Sequence, residues 1–319
     1  MHLEVAPTKP SQSPGVYALL ALALLLLGST ANVAAQTVLE SRQELAFDRP
    51  ESWAMAYFSA ATLFHDLGGV DDLTPGSVAW GVELANIPRI DEEDTRVGFN
   101  GSKFEDLNKS PVFGRARLWL GLPARFTAEF AYTPEVSIDG ARPDGFYAAA
   151  LGRPVYESDR WRLKARAFAQ SGRVRGDFTC SAETASAGDE FERNPFGCQA
   201  PSQDEAEFDY TGLELSARWN RGRWRPFASW SVTRVRPEVQ VNARTFDVID
   251  RARLVTEGTI RSGVAGLSFD GAFDLHWTVA LSYTPLDVVR DRGADRQSDD
   301  HWSLRVVLSQ RLGKNSARR

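Results

Sequence analysis

The stretch RWRLKARAFAQ, residues 160–170, alternates residue by residue. Arg162, Lys164 and Arg166 fall on one side, and Trp161, Leu163, Ala165 and Ala167 on the other. An extended strand keeps such period-two sets apart, because its successive side chains point to opposite faces of a sheet. The same pattern recurs along the chain. Glu83 faces away from Val78, Trp80, Val82 and Leu84, and Arg115 and Arg117 from Ala116, Leu118 and Leu120. Glu129 opposes Phe126, Ala128, Phe130 and Tyr132, while Glu214 and Arg218 oppose Leu213, Leu215, Ala217 and Trp219. Arg225 opposes Trp224, Ala228 and Trp230, and Asp274 and His276 oppose Phe273, Leu275 and Trp277. Arg305 and Arg311 stand across from Trp302, Leu304, Val306 and Leu308.

The connections between these segments alternate in length. LPAR, ESDR, NRGR and DGA are tight turns, whereas 89–110, 135–143, 174–205, 237–255 and 287–300 are long polar loops. The spacing predicts ten strands, near 77–88, 110–121, 125–134, 144–153, 160–174, 206–219, 223–236, 256–269, 273–286 and 301–312. An even count returns both ends of a closed up-and-down barrel to the short-turn side. A count of twelve requires two further strands within 38–65.

Alternation alone does not say which face looks inward. Three features decide for an apolar exterior. First, GVYALLALALLLLG at 15–28, followed by STANVAAQ, predicts a signal peptide over 1–35, with Val33 and Ala35 before a cut at Gln36; an uncleaved anchor is the alternative. Second, Trp161, Trp219, Trp224 and Phe273 sit beside tight turns, and Trp230 and Tyr283 farther along their strands. Rings with a polar atom suit the two membrane–water boundaries. Third, so many large rings would overfill a narrow barrel. The lumen is therefore expected to receive Glu83, Arg115, Arg117, Glu129, Arg162, Lys164, Arg166, Glu214, Arg218, Arg225, Asp274, His276 and Arg305. Buried unpaired charge is costly, so these should form ionic networks in a largely occluded barrel.

On this pattern the chain over 76–312 resembles the bacterial outer-membrane β-barrel class. The resemblance implies an all-β, antiparallel transmembrane barrel in the outer membrane. It implies as partners outer-membrane lipids, lipopolysaccharide, periplasmic chaperones and the barrel-assembly machinery. Members of the class often end on an aromatic residue; here the last strand ends LSQRL, with Leu312 in that place, before a tail over 313–319. Residues 36–75 are expected to form a periplasmic segment with a helix near 50–66. Asp48 would be its N-cap, Pro50 would lie in its first turn, and Gly68 would end it. That helix could lie at the periplasmic mouth or plug the lumen.

Cys180 and Cys198 are the only cysteines, and in an exported chain they predict a disulfide. No zinc spacing, phosphate loop or dinucleotide fingerprint is present, so no metal or cofactor is expected. A net charge of −5 with both signs mixed argues against nucleic acid. Asp274-x-His276 matches the Asp-x-His spacing of omptin-type surface proteases, but the topology puts it at the short-turn end with no acidic pair opposite. His301 beside Asp300 is a second titratable candidate, and the acidic stretch 91–110 a candidate cation loop or a solvated one. The expected role is non-enzymatic: small-solute or lipid passage, adhesion, or envelope structure. The alternatives are a rim hydrolase, omptin-like or lipase-like, and a soluble periplasmic β-barrel that binds a ligand.

Overall fold

The computed structural model describes residues 37–68, 70, 73–220, 222–271, 275–290 and 295–312. The expected signal peptide over 1–35, the tail over 313–319, Phe273 and Asp274 lie outside the described residues. Thirteen elements carry the architecture. β1 is Thr37–Leu45 and α1 is Pro50–Ala61. Then come β2 (Val78–Asn86), β3 (Val112–Gly121), β4 (Thr127–Thr133), β5 (Arg142–Glu157), β6 (Trp161–Gly176), β7 (Asp204–Trp219) and β8 (Trp224–Gln240). β9 (Val248–Thr256), β10 (Gly258–Asp270), β11 (Leu275–Thr284) and β12 (His301–Leu312) complete the chain.

Ten of the strands, β2 to β8 and β10 to β12, pair antiparallel in a closed ring. β12 meets β2 with Val306 opposite Leu84, so the last strand seals against the first and no edge is left. The twelve-strand count fails there, because β1 stands outside the ring and pairs in parallel with β9, Thr37 opposite Val248.

Strand length divides the barrel into a low and a tall side. β2, β3 and β4 have 9, 10 and 7 residues, whereas β5 to β8 have 16, 16, 16 and 17. About 9–11 residues suffice for a tilted strand to cross a bilayer. The four long strands therefore project beyond it at the long-loop end. β9 lies along the tip of β8, with Val255 opposite Glu238. Between β6 and β7, Cys180 and Cys198 form the expected disulfide, with Cα atoms 5.7 Å apart. The Asn194 carboxamide accepts from Cys198 N at 2.7 Å and donates to Cys198 O at 2.9 Å, holding the loop closed. Lys109 joins this loop to the β2–β3 loop through Asp177 at 2.9 Å and Asp106 at 2.6 Å. Burial raises the Asp177 pKa, but hydrogen bonds from Lys109 and the Ala182 amide outweigh it and hold the carboxyl below its ordinary range.

α1 takes the lumen of the two places open to it and departs from expectation in length and cap. PESWAMAYFSAA has one charged residue, Glu51, and every residue except Phe58 is buried. A helix without a polar face must be surrounded. It lies inside the long-loop end of the barrel rather than at the short-turn mouth. Its N-cap is Arg49, not Asp48, which instead pairs with Arg296 at 2.7 Å. It ends at Ala61, not near 66, and the chain continues without regular structure down the lumen. Gly68, at φ +61°, bends that segment where an added Cβ would stand 2.9 Å from the Phe227 ring.

Loop closure gives the disulfide about 3 kcal/mol of local stabilisation. Replacing both cysteines by serine should expose 181–197 to added protease on intact cells. The heat-modifiable gel migration of the barrel should not change, because none of its ten strands depends on that loop.

Candidate functional site: the plugged lumen

An α-helix leaves the last four carbonyls of its backbone unsatisfied, and that end is the negative pole of its dipole. Here the barrel wall supplies the missing donors. Arg305 (β12) donates to Ala60 O at 3.3 Å, Ala61 O at 3.0 Å and Leu63 O at 3.0 Å. Arg115 (β3) donates to Thr62 O at 3.2 Å and Leu63 O at 2.9 Å. The Tyr210 hydroxyl lies 2.8 Å from Thr62 O. Below the helix, Arg166 (β6) donates to Phe64 O at 2.5 Å and Arg117 (β3) to His65 O at 2.7 Å.

Carboxylates on β2, β4, β7 and the plug itself hold these cations in place. Glu83 accepts from Arg115 at 2.9 Å, Arg117 at 3.1 Å and Arg305 at 2.8 Å. Glu129 bridges Arg117 at 2.7 Å and Arg166 at 2.8 Å. Glu214 accepts from Arg166, Ser229 and the Asp66 amide, at 2.8, 2.8 and 2.9 Å. Lys164 pairs with Asp66 at 3.1 Å. Five cations thus meet four carboxylates and a helix C-terminus. Phe64 sits among them, with Arg115, Arg117 and Arg166 at 5.0, 4.7 and 4.4 Å from its ring centroid.

Outside, the arrangement is reversed. Trp80, Phe130, Leu215, Trp230, Leu281 and Leu304 are exposed on the exterior, whereas Glu83 and Arg305 are fully buried. A water-facing barrel would be unstable with that belt, since contiguous exposed apolar surface and buried charge are each penalised in a soluble fold. Only a hydrocarbon surround accounts for both. The chain is a bacterial outer-membrane β-barrel. The soluble periplasmic alternative is thereby excluded.

Solved structures agree in fold alone. The outer-membrane protease OmpT from Escherichia coli matches with a TM-score of 0.38 and 9% identity, over 74% of this chain and 94% of that one. The translocator domain of the autotransporter NalP from Neisseria meningitidis matches at 0.36 and 9%, over 74% and 88%. Neisserial surface protein A matches at 0.31 and 7%, over 74% and 96%. No protein-family model and no curated protein matches the chain.

The remaining sequence candidates occupy separate places. Arg162 pairs with Glu157, Arg218 donates to Asn220 at 3.0 Å, and Arg225 pairs with Asp270 at the short-turn end. His276 also bonds Asp270. This group sits far from the long-loop rim that omptin chemistry uses. At the boundaries, Trp161 packs edge-on against Trp219 with centroids 4.7 Å apart, Trp224 lies against Phe269 at 5.0 Å, and Tyr283 lies against Trp302 at 4.4 Å. His301 does not engage Asp300; it is buried with its ring edge-on to Tyr57, 4.8 Å away. In the 91–110 loop, no group of three or more metal-binding side chains is assembled among the described residues.

Sequence reasoning missed one constellation. Ser262 Oγ lies 3.3 Å from His65 Nε2, and His65 Nδ1 lies 3.6 Å from Glu214. This is the order of a nucleophile, a base and an orienting carboxylate. But Ser262 Oγ is already bonded to Tyr283 O at 3.0 Å and Thr284 Oγ1 at 2.8 Å. Serine and histidine are each 1% exposed, leaving no room for an acyl group beside the hydroxyl. The trio ties plug to wall. No local signal could have joined positions 65, 214 and 262, which lie on three separate elements.

Arg305→Ala removes donors from three carbonyls and leaves Glu83 short of a partner, a change expected to cost about 3–5 kcal/mol. The transition from the compact to the heat-denatured gel form should move to clearly lower temperature. Arg305→Lys should not restore it, because a single ammonium cannot replace the guanidinium's separated donors.

Proposed function

We propose that this protein is a non-conducting, non-enzymatic barrel that works at its outer face, in binding, adhesion or envelope structure. The observation that carries this reading is the filled lumen: α1 and the segment after it occupy the axis and bond to wall residues on β3, β6, β7 and β12. Passage of solute or lipid would require withdrawing α1 against every one of those bonds. The tall side supports an outward role. β5 to β8 lift a disulfide-braced loop and the β1–β9 ribbon clear of the bilayer.

Between ribbon and loops lies a cleft of about 710 Å³, lined by Glu40, Arg42, Gln203, Gln240, Asn242 and Arg253. Its amides and charges suit a polar ligand better than an apolar one. The lipid-facing belt takes outer-membrane lipids as its first partners. Arg234 and Arg236, exposed above the belt, make lipopolysaccharide phosphate a second. Periplasmic chaperones and the barrel-assembly machinery would deliver a chain with this exterior.

The purified, refolded barrel in a planar bilayer should remain silent, and Arg115→Ala with Arg305→Ala should produce openings as the plug loosens. Steady openings of the unmodified protein would replace this reading with a pore.

A further inference from the structure

The path of the N-terminal segment has one direction. β1 runs beside β9 in the projecting loops. Asp48 O accepts from Val289 N at 2.8 Å, and Trp53 Nε1 donates to Asp299 O at 3.3 Å, both contacts with the β11–β12 loop. Tyr57 donates to Pro88 O at 3.0 Å, just beyond the upper end of β2. Leu63, Phe64 and His65 are held at mid-wall by Arg305, Arg166 and Arg117. Asp66 accepts from Ser216 at 2.9 Å, and Gly68 lies against Phe227, close to the short β7–β8 turn. Finally Gly76 N donates to Gly121 O at 2.9 Å, beside the short β3–β4 turn, and the chain enters β2 from below.

We infer that the segment is threaded through the barrel, so that residues 37–49 lie on the outer surface while β2 begins at the periplasmic face. Short turns are periplasmic in this class of barrel, which fixes the direction. A chain that entered the lumen from the periplasm would have to pass up and back down. Among the described residues the axis holds a single pass, whose helix alone is about 10–12 Å across with its side chains. Its upper end is also occupied on the outside: Arg42 reaches Glu238 at 3.9 Å, and Glu40 reaches Arg251 at 3.6 Å.

The threading ties plug to seam. Glu83 on β2 and Arg305 on β12 face each other across the closing seam, bonded at 2.8 Å, and Arg305 also grips Leu63.

Three tagged forms test this in a Gram-negative host, each first shown to be heat-modifiable. One epitope goes between Gln36 and Thr37, one at Gly188 in the disulfide loop, and one at Gly222 in a short turn. On intact cells the antibody should label the 36/37 and Gly188 tags to the same extent. The Gly222 tag should label only after permeabilisation. If the 36/37 tag behaves like Gly222 instead, threading is wrong. If Gly188 and Gly222 exchange behaviour while the 36/37 tag still follows Gly188, threading stands and only the assigned direction changes. Should the 36/37 tag block assembly, Glu40→Cys with a membrane-impermeant maleimide reads the same outcome. Both native cysteines are engaged in the disulfide, so the new thiol is the one that reacts.

Discussion

The structure depends on the capture of one helix's carbonyl end by wall arginines. Arg305 and Arg115 between them satisfy Ala60, Ala61, Thr62 and Leu63. In a lumen shielded from bulk water, an unpaired carbonyl or guanidinium would be costly, and each here removes the penalty of the other. Glu83 makes the device stable by balancing three guanidiniums at once. Without the helix, those arginines would need water or an ion; without the arginines, the helix end could not remain buried.

The inverted faces lead to this arrangement. A barrel whose exterior must satisfy hydrocarbon places much of its apolar surface outside. It buries Arg, Glu, Lys, Ser and Thr beside inward apolar wall residues such as Phe113, Trp119, Phe146, Phe208 and Phe227, so ionic and hydrogen-bonded cohesion inside is added to hydrophobic packing. Apolar packing inside joins plug to wall: Trp53, Tyr57, Leu63 and Phe64 cluster with Phe168, Tyr210, Val235 and Ile260. Arginine suits the junction, because its flat face covers the Phe64 ring while its edge donates to carbonyls and carboxylates.

Much of this was legible from residue order. The ten strands fall within a few residues of the segments that alternation marked, and the taller β5 to β8 lengthen rather than move them. The apolar exterior followed from rings placed beside short turns. The helix was legible in type, but its place was left open between the periplasmic mouth and the lumen. Its lack of a polar face was a signal: PESWAMAYFSAA would expose Trp53, Met55 and Tyr57 on any open surface. Its early end at Ala61 was not legible, because Thr62 caps it there while arginines from β3 and β12 bond the carbonyls that follow. β1 was also hidden, since its partner β9 is two hundred residues away and its residues are exposed on both faces.

By itself the sequence determined the places of the ten ring strands, their faces and their antiparallel order, because period-two patterning and turn length are properties of adjacent residues, while closure of β12 on β2 decided ten strands against twelve. Only the tertiary structure decided which charges meet, where the helix sits and which way the chain runs through the lumen. Those outcomes depend on curvature and closure, which bring Glu83, Arg115, Arg305 and Leu63 to one point from four separate stretches of chain. No local pattern encodes that meeting, since each residue is satisfied only by the presence of the others.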